Sequence, residues 1–165
     1  MSKHQLKVEF QGSTLILTRQ FDAPRRKVFQ AYSDCKHLMN WWGPREWPLT
    51  YCKLDFRIGG KWHFCMTGPE GMEGWGLAIY KDIKEPELIE YEDFFSDKDG
   101  NKNKEFPSTV VKTEFFEKDG KTILKSTAVY ATPEDLKKVS EMGMIEGITQ
   151  TLDRLEEYLA VGGGN

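Results

Sequence analysis

The stretch TPEDLKKVSEMGMIEGITQTLDRLEEYL, from Thr132 to Leu159, decides the fold. Thr132 offers a hydroxyl N-cap, Pro133 takes the first helical position, and Glu134 and Asp135 answer the positive end of the helix dipole. Downstream, Ile148, Leu152, Leu155 and Leu159 recur at steps of four, three and four, which stacks them on one helix face, while Asp153, Glu156 and Glu157 project elsewhere. A second stripe, Ser140, Gly143, Gly147 and Thr151, follows similar steps and is made of small residues. Each glycine inside a helix costs roughly 1 kcal/mol against alanine, so their placement implies either close approach by another backbone or space left open beside the helix. Glu141 projects onto the Ile148 stripe, so either the helix bends near Gly143 or a carboxylate faces the interior; Leu136 and Val139 also fall off the stripe, which favours the bend.

Moving outward, the 165 residues hold no run of Pro, Gly or Ser that would divide them, and one domain is expected. Its ordered part should run over about residues 6–160, with 161–165 as a loose glycine-rich tail. A net charge of -3 and a pI near 5.7 argue against a nucleic-acid or anionic-membrane surface. The N-terminus lacks an apolar secretory segment, and no apolar run approaches the ~18 residues that span a bilayer. Cys35, Cys52 and Cys65 stand at no C-x-x-C spacing and read as unpaired thiols of a reducing compartment. A cytoplasmic protein, monomeric or weakly dimeric, is expected.

Ser13 to Phe21 has the content of a strand; Asp22 is placed to cap a helix opened by Pro24, and a second short helix covers Cys35 to Trp42 before Gly43-Pro44 stops it. Leu54, Phe56 and Ile58 alternate before Gly59-Gly60, and Trp62, Phe64 and Met66 alternate after it, which reads as a hairpin. Trp75 to Ile83 with Leu88 to Phe95, and Thr109 to Phe116 with Thr122 to Tyr130, form two more. The sum is a seven-stranded antiparallel sheet with one face to bury, and the C-terminal helix is the long element left to cover it. Val111, Thr113 and Phe115 should face inward opposite Leu124, Ser126 and Ala128, and several of these are too small to fill the interior. Small residues on both helix and sheet point to a pocket between them.

These stretches resemble the family of homologues of the activator of heat-shock-protein-90 ATPase, of the C-terminal-domain type, within the Bet v 1-like (START-related) helix-grip superfamily. The resemblance rests on Phe21-Asp-Ala-Pro-Arg with Val28-Phe29, on Trp41-Trp42-Gly43-Pro44, and on Asp55-Phe-Arg-Ile-Gly-Gly60 with Trp62. Glu85-Pro-Glu-Leu88, Phe95-Ser-Asp97, Asp119-Gly-Lys-Thr122, and Gly143 and Gly147 with Leu152-Asp-Arg-Leu155 complete it. It implies an α+β helix-grip fold, a curved sheet wrapped around a long C-terminal helix with a hydrophobic pocket between them. Members of the wider superfamily bind lipids, sterols or polyketides, and some catalyse cyclisation or hydrolysis. The family name comes from a co-chaperone, which makes a chaperone a possible partner.

Neither a metal nor a cofactor is expected. His63 and Cys65 share the strand face opposite Trp62 and Phe64, and Asp97-Lys-Asp99-Gly-Asn101 has its glycine at the wrong place for a calcium loop. No nucleophile elbow, P-loop or dinucleotide fingerprint is present. In Leu88 to Phe95 one face carries Glu90 and Glu92, the other Asp93 with Ile89, Tyr91 and Phe95, so either register hides an acid that could act as a general acid or base. The expected function is binding of a small lipophilic, aromatic, polyketide-like or lipid-like molecule. Phe29, Trp42, Phe64, Met66, Trp75, Val111, Thr113, Phe115, Ser126, Met144 and Ile148 are the expected lining. A cyclase or hydrolase using an interior carboxylate, and a chaperone-interacting protein, are the alternatives.

Overall fold

The computed structural model describes residues 4–164. Its strands are β1 (Lys7–Gln11), β2 (Thr14–Phe21), β3 (Leu49–Leu54), β4 (Lys61–Thr67), β5 (Glu73–Lys84), β6 (Leu88–Phe95), β7 (Thr109–Lys118) and β8 (Lys121–Tyr130). The helices are α1 (Arg25–Ala31), α2 (Cys35–Trp41), α3 (Pro133–Ser140) and α4 (Met144–Ala160). All strands join one antiparallel sheet in the order β1-β2-β8-β7-β6-β5-β4-β3, so α1 and α2 carry the chain from one side of the sheet to the far edge.

The sheet has eight strands rather than the seven expected. The extra strand, β1, pairs with β2 across a turn at Gly12, from Lys7↔Thr18 to Gln11↔Thr14. Its polar composition, with exposed Lys7, Gln11 and Phe10, hides the edge-strand role from a hydrophobicity reading. The hairpin before Gly59-Gly60 also differs: β3 ends at Leu54, and Asp55 to Gly60 is irregular, with the Gly60 N–H bonded to the Arg57 carbonyl. Phe56 still packs inward, edge-on to Phe29 and Tyr80, but Ile58 is exposed. Asp22 does not cap α1; Pro24 holds the N-cap position without a side-chain bond, and the Asp22 carboxylate meets His4 instead.

The C-terminal segment starts as its sequence dictates, with the Thr132 hydroxyl accepting from the Asp135 N–H at 3.1 Å. The expected bend is a complete break. Gly143 adopts φ +88°, a left-handed conformation that L side chains rarely adopt, and becomes the N-cap of α4. Glu141, now the C-cap of α3, points into solvent. Beyond α4, Gly163 donates to the Tyr158 carbonyl at 2.9 Å, and a Cβ on Gly164 would lie 2.5 Å from the Lys27 carbonyl, so residues 162–164 lie against the domain where a loose tail was expected. Asn165, the end of that tail, lies outside the described residues.

Cys35 and Cys52 form a disulfide that ties the start of α2 to β3, and Cys65 is free and buried. The reading of three unpaired thiols is corrected: α2 lands on β3 because Leu38 and Trp41 must be buried there, and that packing brings the two sulfurs together. The cysteine argument for a reducing compartment falls with it. The bond closes a loop spanning 17 positions, for which chain entropy gives about 3 kcal/mol. Urea unfolding with and without reductant is expected to show a loss near that size, and Cys35→Ser is expected to be insensitive to reductant. Equal stability in both conditions would contradict the role assigned to the bond.

Candidate functional site

The inner face of the sheet is set by alternation. Leu15, Leu17, Arg19 and Phe21 of β2 are all buried, and the ladders carry the same face through Leu124 and Ser126 of β8, Thr113 and Val111 of β7 and Tyr91 of β6. Two clusters of buried side chains form on it. One gathers α1, α2 and the Leu152–Leu155 half of α4 around Phe29, Trp41 and Phe115; the other gathers α3 over Leu15, Leu17 and Val111. Residues of both clusters wall a cavity of about 550 Å³ left between them, under the first turns of α4.

Three features of sequence keep that space open. The break at Gly143 lets α4 leave the direction of α3. Gly147 and Thr151 face the space with little bulk, and a Cβ on Gly147 would meet only Pro44, at 3.4 Å. On the floor, the Phe64 ring lies so close over Gly76 that a Cβ there would sit 2.4 Å from it. Glu73 and Met142 are the exposed side chains of the wall and mark its mouth, with Met142 52% exposed.

The structure places Trp42, Phe64, Met66 and Thr113 on the cavity wall, together with Ser126, Met144 and Ile148. Trp75 also belongs to the wall, yet its ladder partner is Cys65, and its indole stacks on His63 at 5.0 Å on the outer face. Phe29, Val111 and Phe115 are not wall residues. Phe29 and Phe115 pack edge-on at 5.3 Å in the core beneath α1, and Val111 is covered in the α3 cluster. They face inward as expected, but the cavity occupies only part of the inner face, and α1 and α3 seal the remainder.

The polar groups of the wall are less evident from the sequence. Arg19 is 2% exposed and reaches α4, where Nη1 meets Asp153 Oδ1 at 2.6 Å and Nη2 meets Glu156 Oε2 at 2.9 Å. The signal for it exists, since it shares the period-two face of Leu15, Leu17 and Phe21. Arg154 anchors the mouth: its Nη1 donates to the carbonyls of Trp42 and Gly43 at 3.2 and 2.8 Å. Beside it, Arg45 pairs with Glu157.

Strand β6 turns its Ile89, Tyr91 and Asp93 face inward, opposite Thr113, Val111 and Thr109, which hides one acid where the other register would have hidden two. Burial pushes the Asp93 carboxyl up to about 7, only partly offset by the hydrogen bond from the Phe94 N–H. Burial likewise raises the Tyr130 phenol to about 12 and holds the Tyr91 phenol well above its ordinary value, and the Asp93 charge adds to both. The Tyr130 hydroxyl points to Met144 Sδ at 3.4 Å. Among the described residues no group of His, Cys, Asp and Glu side chains could hold a metal ion.

An antiparallel sheet closed around one C-terminal helix, with a cavity between them, defines a helix-grip domain. The chain belongs to the family described as Activator of Hsp90 ATPase homolog 1-like protein, whose model matches residues 22–160. A crystallised protein from Mycobacterium smegmatis is similar at 33% identity and TM-score 0.85, over 94% of this chain and 95% of that one. The solution structure of a Staphylococcus epidermidis protein is similar at 31% identity and TM-score 0.81, over 93% of each chain. An Arthrobacter aurescens protein gives TM-score 0.88 at 26% identity, over 96% of this chain and 94% of that one. The chain has no match among curated proteins. No described helix is long and apolar enough to cross a membrane.

Asp93 makes ligand-free stability depend on pH. Its folded carboxyl holds a proton up to about pH 7, whereas an unfolded one releases it near ~3.9. The folded state therefore binds the extra proton between those values, and the stability this confers, complete below about pH 4, is lost as pH rises towards 7. Asp93→Asn is expected to be more stable than the parent at pH ~8, by on the order of 2 kcal/mol after allowance for the water that reaches the cavity. Near pH ~4 the two should be equal. A difference independent of pH in urea titrations would contradict the burial of this carboxyl.

Proposed function

We propose that this chain binds a small lipophilic molecule, with an aromatic or polycyclic body, inside the cavity between α4 and the sheet. One observation carries the reading: about 550 Å³ of space, walled mainly by apolar groups, lies between α4 and the sheet. That volume falls in the range of small-molecule sites, roughly 300–1,000 Å³. Affinity would come from apolar burial at about 25 cal/mol per Å². Trp42 supplies a flat wall, edge-on to Trp62 at 4.8 Å and to Phe64 at 6.2 Å. Met66, Met144 and Ile148 supply walls that adapt in shape.

A second reading, in which the bound molecule is also transformed, has Asp93 behind it. A carboxyl that exchanges its proton near neutral pH can act as general acid or base, and activity that followed its titration and vanished in Asp93→Asn would support turnover.

The test of binding is a fluorescence titration with an uncharged environment-sensitive dye such as Nile red, or with flavonoids and sterols, in the parent and in filled variants. Gly147→Leu and Ser126→Phe are expected to weaken binding about tenfold or more through steric loss of the site, with circular dichroism and cooperative melting retained. Undiminished binding to both folded variants would place the site elsewhere.

A further inference from the structure

Two carboxylates of the cavity wall have no ion pair among the described residues: Glu73, which is exposed and accepts from the Trp75 Nε1–H, and Asp93, which is the less exposed of the two. Arg19 reaches the wall, but Asp153 and Glu156 already pair with it, and this trio carries a net negative charge. Asp93 enters none of the ion pairs of the described residues, and the neighbouring Phe94 N–H is the group that favours its charged form. The groups facing it from the surrounding elements do not neutralise it. β5 presents Ala78 and Tyr80, β7 presents Thr109 and Val111, and β8 presents Tyr130. Tyr32 follows α1 and Glu73 lies on the exposed side of the wall; α3 turns Val139 to the cavity, the link before α4 turns Met142, and α4 turns residues from Met144 to Leu152 of which none that line the cavity is titratable.

The rings near Asp93 are suited to a cation. Tyr91 and Tyr130 both feel the Asp93 charge, and Phe95 and Phe64 extend the aromatic wall towards the mouth. Aromatic faces attract a desolvated ammonium through their quadrupole, and a carboxylate among them supplies the ion pair. An anionic head, such as that of a fatty acid, would meet Asp93 and Glu73 instead, and like charges repel. We infer that the ligand carries a protonated amine on its apolar body, and that Asp93 is the counter-charge the amine meets between Tyr91 and Tyr130. The inference rests on the cavity being the binding site.

The probes are 1-naphthylmethylamine, 1-naphthalenemethanol and 1-naphthoate, which share a ring system and differ in charge, titrated into the whole chain by calorimetry. At pH ~8 the amine is expected to bind at least about tenfold tighter than the alcohol, with the carboxylate weakest. The preference should shrink at pH ~5.5, where Asp93 is protonated, and in Asp93→Asn, whose fold is checked by its melting transition. Glu73→Gln, at the mouth, should retain it. Equal binding of amine and alcohol, a preference unchanged in Asp93→Asn, or one abolished by Glu73→Gln, would overturn the amine while leaving the cavity as the site. Binding by none of the three probes would overturn the amine and the cavity reading together.

Discussion

The structure depends on the ion triad that joins β2 to α4. Arg19 rises from the sheet under the helix, is 2% exposed, and holds Asp153 and Glu156, three positions apart on one helix face. Removing the Arg19 guanidinium would take a buried counter-charge away from both carboxylates; the loss is about 3–5 kcal/mol for a fully buried pair and smaller here, where Asp153 and Glu156 are 26% and 20% exposed. Next to it, Leu152 and Leu155 are buried, and Arg154 holds the Trp42-Gly43 turn. The C-terminal half of α4 is thus fastened by charge and by packing, and its N-terminal half can stand off the sheet without being filled in beneath.

The break at Gly143 completes this geometry. A continuous helix would carry the direction of α3 into α4, whereas a left-handed residue between them lets α3 seal one part of the sheet and α4 roof another. Met142 and Met144 then lie on either side of the break at the mouth of the cavity. Access and enclosure both follow from one backbone conformation. Asp93 belongs to the same arrangement, since its carboxyl is raised by surroundings that provide burial without a cation.

Much of this was legible in the chain, for physical reasons that differ from element to element. The long hairpins and the Thr132 cap follow from alternation and capping chemistry, and the small residues Gly147, Thr151, Thr113 and Ser126 indicated space because several fell on opposed faces. Strand β1 was missed because an edge strand need bury little, and its exposed Lys7 and Gln11 break the apolar pattern. The faces of β6 looked equivalent because acids lie on both; only the pairing Asp93↔Thr109 and Tyr91↔Val111 settles which is inward. Alternation places Phe115 on the inner face without fixing its position along that face, and Phe29 turns inward from α1 but packs on Phe115 in the core instead of on the wall. The Cys35–Cys52 bond joins two elements whose contact depends on where α2 lands, which spacing alone does not reveal.

The central claim is that the grip between α4 and the sheet is open inside. Diffraction from a crystal pressurised with xenon tests it most directly, because xenon enters apolar cavities and scatters strongly. Density for xenon, or for a lipophilic molecule carried through purification, is expected between Gly147 and the Tyr91-Thr113 floor. Side chains filling that space, with no xenon in it, would mean that the cavity does not exist.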